Sequence, residues 1–140
     1  MNVDECILQG LLKKGKPDMQ MALNSMKAAE HKLGIAQREL DAKIHETAII
    51  SAYAAMFHAG RALLYKDGFK ERSHYAISVY IGEKYGSRLE QRFIHELDTL
   101  RSERHTLMYS IEELPDVSKA EAESALSVAQ EFVSAIRKLL

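Results

Sequence analysis

Between Ile44 and Lys66 the chain carries a helical run with no solvated face. Ile49, Ala52, Met56, Ala59 and Leu63 step by three and four along one side. The other side carries Ser51, Ala54, Ala55, His58, Arg61, Ala62 and Tyr65, and is also mostly small and apolar. A helix that is apolar all round is buried by neighbours on every side. This run therefore predicts the central helix of a bundle, with its alanines and Gly60 letting other helices approach closely. His58 and Arg61 are its polar exceptions. Each either reaches water or a carboxylate with its tip, as long cationic side chains do, or contributes to a binding site.

The rest of the chain supplies the neighbours. Helical spacing recurs throughout and strand-like alternation is absent, so the reading is all-α. The two prolines, Pro17 and Pro115, stand where helices begin or end. A short first helix is expected over Val3–Leu12, stopped by Gly15-Lys16-Pro17. A second follows, with Ala22, Met26, Ala29, Leu33, Ala36 and Leu40 as its buried stripe. A fourth is expected from the N-cap Ser73 to just before Gly86. Capping boxes at Ser87/Glu90 and Ser118/Glu121 start a fifth and a sixth. The sixth has the stripe Ala122, Ala125, Ala129, Phe132, Ile136 and Leu139. Short links between long helices imply an up-and-down antiparallel bundle of five to six helices, forming one domain over residues 1–140. A chain of 140 residues buries enough surface to fold without disulfide or metal.

The lone cysteine, Cys6, allows no internal disulfide, and the N-terminus lacks the basic start and apolar run of a signal peptide. Both fit a cytoplasmic setting, and no run is long enough for a membrane span. With a formal net charge of −1, no field of one sign dictates a nucleic-acid or membrane partner, although a local basic patch remains open. No cysteine, histidine or carboxylate grouping has metal-ligand spacing, and no glycine-rich phosphate loop or nucleophile elbow is present. His31, His45, His74 and His95 have no companions at such spacing. No metal or other cofactor is expected.

The fifth helix carries the chemistry. Phe93, Leu97, Leu100, Arg104, Leu107 and Ile111 form one seam, with an arginine where a large hydrophobe is expected. An arginine in that position needs a carboxylate, a phosphate or a wet cleft, because an unpaired buried charge is costly. Arg101, His105 and Tyr109 lie three before, one after and five after it, on one broad helical face. Arginine forks suit phosphate oxygens, and histidine titrates near neutrality. The same cluster also suits a polar dimer seam, with Arg104 paired to Glu103 or Asp98 of a second chain.

The segment Ser51-Ala-Tyr-Ala-Ala-Met-Phe-His-Ala-Gly-Arg-Ala-Leu-Leu-Tyr65 resembles the central helix of small prokaryotic HEPN proteins. Lys66 to His74 resembles that family's glycine-containing turn followed by a basic residue and a histidine. Leu100-Arg101 with Arg104 and Tyr109 resembles its segment around a functional arginine, and the acidic, alanine-rich last helix fits as well. The resemblance implies a helical homodimer. It also implies a metal-independent ribonuclease motif, Arg-x4–6-His, at the dimer interface of many members, and frequent pairing with a minimal nucleotidyltransferase as toxin and antitoxin. By that resemblance Arg104 takes the motif arginine and His105 the polar position after it. Tyr109 stands where the motif histidine falls, a departure from the pattern.

Three functional readings follow. The first is a homodimeric partner of a minimal nucleotidyltransferase that binds nucleotide or RNA at an arginine-containing cleft, with Arg101, His58 and Arg61 as further ligand-binding residues. The second is a metal-independent endoribonuclease toxin using Arg104 with His105 or Tyr109. The third is a structural dimerisation module, with Arg104 as a registry salt bridge.

Overall fold

The computed structural model describes residues 1–140. Six helices run in the order α1 (Val3–Leu8), α2 (Met19–Asp41), α3 (His45–Asp67), α4 (His74–Tyr85), α5 (Gln91–Tyr109) and α6 (Lys119–Arg137). They form an all-α bundle around one continuous apolar core. Two short strands, β1 (Leu12–Lys14) and β2 (Phe69–Glu71), are its only extended pieces.

The core forms where the apolar spacing predicts it. Helix α3 packs against α2, α4, α5 and α6. Ile49, Ala52, Met56, Ala59 and Leu63 are all buried on it, as are Ala55, Ala62 and Tyr65 of its other side. Gly60 makes the approach of α4 possible, since a Cβ there would lie 2.7 Å from Ile81 Cδ1 and 2.8 Å from Ile77 Cγ2. The α6 stripe from Ala122 to Ile136 is buried, and Phe132 meets Phe93 of α5 edge-on. Along α2, Ala22, Met26, Ala29 and Ala36 are buried, while Leu33 and Leu40 are half-buried.

Local signals settle several helix ends. Asn2, Asp18, Ser73 and Ser118 each accept a backbone N–H at the start of a helix. Gly68 ends α3 at a φ of +89°, the left-handed region that favours glycine. A Cβ on it would stand 2.8 Å from the Gly15 carbonyl oxygen and 2.9 Å from Pro17 N, so the close crossing of these two turns also requires glycine.

Three expectations need correction. The first helix ends at Leu8, not Leu12: Gly10 takes a φ of +75°, and Leu12–Lys14 pairs antiparallel with β2. Those three residues are too few to carry an alternation signal, and their conformation comes from a partner far along the chain. The Ser87/Glu90 capping box does not form, because α5 starts only at Gln91 and Glu90 instead accepts from Arg92. Finally, the α5 seam stops short: the helix ends at Tyr109, which leaves Ile111 beyond it and 90% exposed.

Candidate phosphate-binding site between α3, α4 and α5

Phe93, Leu97 and Leu100 bury the first half of α5 against the bundle. One turn further the seam reaches Arg104, which is half-buried. Its guanidinium carbon lies 5.5 Å from the centroid of the Tyr53 ring on α3, a cation–π arrangement. Nη1 contacts the Met108 sulfur at 3.7 Å, and the buried Nε has no partner. No carboxylate of the chain pairs with Arg104. One turn earlier, Arg101 sits 5.6 Å from the Tyr75 ring centroid and holds Asp98 at 3.3 Å.

Tyr53 connects this pair of arginines to a histidine. Its hydroxyl lies 2.8 Å from Nδ1 of His74, the first residue of α4. Phe57, one turn along α3, stacks on the His74 ring at 4.2 Å between centroids, tilted by 20°. Burial lowers the pKa of His74 from its ordinary value, and the positive fields of Arg104, Arg101 and Arg61 lower it further. Burial raises the Tyr53 phenol to about 12, against the opposing pull of Arg104 and Arg101. Near neutral pH the phenol therefore keeps its proton and faces an uncharged imidazole, and the bond is assigned with the phenol as donor to Nδ1. That assignment leaves the proton of His74 on Nε2.

His58 and Arg61 continue the site along α3. His58 meets Phe57 edge-on at 5.5 Å, and its pKa is lowered by burial first, then by Arg61, Lys32 and His74. The Arg61 guanidinium lies 5.4 Å from the Phe57 centroid and 5.7 Å from that of Tyr65. It has a carboxylate partner: Nε is 2.9 Å from Glu71 Oε1 on β2, an off-line ion pair rather than a hydrogen bond. Glu71 is 8% exposed, so the charge on Arg61 is largely matched within the fold, unlike that on Arg104.

Of the residues singled out in the sequence, Arg101, Arg104, His58 and Arg61 thus gather around His74. His105 and Tyr109 do not join them. Successive residues on a helix turn by about 100°, so His105 points away from the seam that carries Arg104. Both side chains are exposed, with their rings 4.9 Å apart, and they line a separate cavity of about 210 Å³ with Thr106 and Ser110. His74, Tyr53, Phe57 and Tyr75 are members of the site that sequence reasoning missed. The N-cap at Ser73 and the resemblance over Lys66–His74 were the available signals, but neither says which helix His74 faces.

The groups gathered here are two arginines and an adjacent acid–base group, a chemistry that suits a phosphate. Two arginines offer planar donor forks, one of them with no internal anion. Phe57 and Tyr75 are half-buried and can offer a ring face to a base, whereas Tyr53 is buried. No three His, Cys, Asp or Glu residues are grouped so as to hold a metal ion.

A family model for the HEPN domain matches residues 22–139, most of the chain. The chain belongs to the HEPN family. This match includes every residue of the α3–α4–α5 site, and it supports a general role connected with nucleotides or RNA. None of the curated proteins matches the chain. Helices of this HEPN domain are nowhere long and apolar enough to cross a membrane.

Proposed function

We propose that this HEPN protein binds a nucleotide or RNA through phosphate at the cleft formed by Arg101, Arg104 and His74. In this reading it acts as a homodimer associated with a minimal nucleotidyltransferase, as in a toxin–antitoxin pair. One observation carries the binding reading: Arg104 is half-buried beside an uncharged histidine, and no carboxylate of its own chain neutralises it. A half-buried guanidinium whose Nε is shielded from water and without a partner is incompletely satisfied, and a phosphodiester supplies what is missing. The homodimer reading is supported by Met108, Tyr109, Ile111 and Leu114, large side chains left exposed just past the site.

A second reading, a metal-independent endoribonuclease, is favoured by the Tyr53–His74 hydrogen bond beside the two arginines. The imidazole of His74 can accept and release a proton. The exposed pair His105 and Tyr109 reaches this cleft only if the second protomer of a dimer carries it there. In the third reading Arg104 pairs with an acid of a second protomer and binds no phosphate.

One assay separates the three. Labelled single-stranded RNA is mixed with the protein in EDTA, and both anisotropy and strand length are followed. Binding without cleavage is expected, weakened about tenfold or more by Arg104→Ala, since a charge-assisted hydrogen bond is worth ~1.5–3 kcal/mol. Cleavage that disappears in Arg104→Ala and His74→Ala establishes the ribonuclease instead. Binding unchanged in Arg104→Ala refutes the cleft as the site. Co-purification with a nucleotidyltransferase encoded in a neighbouring reading frame tests the proposed partner.

A further inference from the structure

A second basic site lies at the far end of α3. A cavity of about 250 Å³ opens where the two-stranded sheet meets the start of α2 and the end of α3. Lys13, Lys14, Lys16 and Lys70 line it, and Asp18 is its one acid. None of the four lysines has a carboxylate partner. Asp18 is already engaged as the N-cap of α2, accepting from Met21 N at 3.0 Å.

The strand register sharpens the point. Lys13 and Lys70 are direct cross-strand partners. Like charges placed directly opposite each other destabilise a sheet. Here the sheet has only three residue pairs, so little else offsets that repulsion. The chain has 20 acidic residues, yet none of them is set opposite either lysine. A concave group of four cations, two of them opposed, is matched by an anion with several charges.

We propose that this cavity is a phosphate-binding site separate from the arginine cleft, taking the phosphate groups of a polyphosphate or of a polynucleotide strand. It stands independently of the reading of the arginine cleft. The cavity opens to solvent, so phosphate groups can enter it while the rest of a ligand stays outside. Lysine ammonium groups act as point charges and suit phosphates without demanding one orientation. Lys13, Lys14 and Lys16 precede residue 22, where the HEPN match begins. The site is therefore built partly from residues that the family match does not cover.

Position links the two sites. Tyr65 lines this cavity, and Tyr53 stands in the arginine cleft. Both are on α3, about 18 Å apart along its axis at ~1.5 Å per residue. Residues twelve apart on a helix also face directions about 120° apart, so one strand touching both would span at least about five stacked nucleotides at ~3.4 Å each.

The test uses inorganic tripolyphosphate and, separately, a short single-stranded RNA, each titrated into the full chain at low salt. Amide NMR shifts report location and calorimetry reports affinity. Tripolyphosphate is expected to shift the amides of Lys13–Lys16 and Lys70. The Lys13→Gln/Lys16→Gln/Lys70→Gln variant should bind it at least about tenfold more weakly, because each lost phosphate contact removes affinity. Replacement of the same three lysines by arginine should preserve binding. Lys70→Gln alone removes the cross-strand repulsion, so it should weaken binding without lowering Tm, which excludes unfolding as the cause. RNA bound more tightly than tripolyphosphate, and weakened by both the lysine and the Arg104 substitutions, identifies a strand as the ligand. Tripolyphosphate bound more tightly identifies a free polyphosphate. Absence of shifts at these lysines, or equal affinity of the parent and the triple glutamine variant, overturns the proposal.

Discussion

Replacing Tyr53 by phenylalanine isolates one interaction at the centre of the arginine cleft. Tyr53 is 1% exposed, so its ring contributes strongly to the core. Phenylalanine keeps that ring, its packing on Phe57 at 6.4 Å and the face it offers to Arg104. Only the hydroxyl is lost, together with its 2.8 Å bond to His74 Nδ1. Leaving a buried acceptor without its donor costs ~1–3 kcal/mol. His74 is half-buried, so water can partly replace the phenol, and the lower end of that range applies, about 1 kcal/mol. For a domain of this length that corresponds to a fall in Tm of roughly 3–5 °C. Tyr53→Ala, which empties the ring's space as well, should cost about 3–5 kcal/mol. Melting followed by circular dichroism near neutral pH measures both. A second readout is the His74 titration by NMR. The phenol donates to the uncharged imidazole, so its removal should raise the His74 pKa toward the ordinary value. A Tyr53→Phe variant that melts like Tyr53→Ala, or whose His74 pKa does not rise, refutes the assignment of Tyr53 as donor to a neutral histidine.

The same histidines predict how stability depends on pH. His58 and His74 are both held below the ordinary value of 6.5, by burial first and then by neighbouring cations. Below that value the unfolded chain binds protons that the folded chain resists, so stability is full above it and falls as pH drops through the folded pKa values. Urea midpoints measured between near-neutral pH and the onset of carboxylate protonation should show this decline, and His74→Asn should reduce its slope. Arg61→Ala tests the ion pair with Glu71. Breaking a fully buried pair costs ~3–5 kcal/mol, but Arg61 is 32% exposed, so about 2 kcal/mol is expected. Glu71→Gln in the same chain should recover part of that loss in urea unfolding. No recovery would show that Arg61 acts on stability through Phe57 and Tyr65 alone.

Much of this protein is legible in its amino-acid order. Apolar spacing at three and four residues marks α2, α3 and α6, and even the all-round burial of α3, because a helix repeats its faces every few residues. Ser73, Ser118 and Gly68 mark ends because capping and a left-handed turn are local events. Arg104 was visible as an interruption of the α5 seam for the same reason. What periodicity cannot carry is contact between elements. Leu12–Lys14 becomes a strand only because Phe69–Glu71 lies beside it, and the opposed Lys13 and Lys70 meet only through that register. His74 joins Arg101 and Arg104 only because α4 and α5 both pack on α3, which brings its imidazole to Tyr53. Conversely, His105 is next to Arg104 in sequence and faces elsewhere, since one step along a helix is a turn of about 100°. The order of residues thus determined the helices, the core and the arginine that interrupts the α5 seam. The tertiary structure decided which histidine stands beside that arginine, because side chains distant in sequence meet only where the helices that carry them are packed.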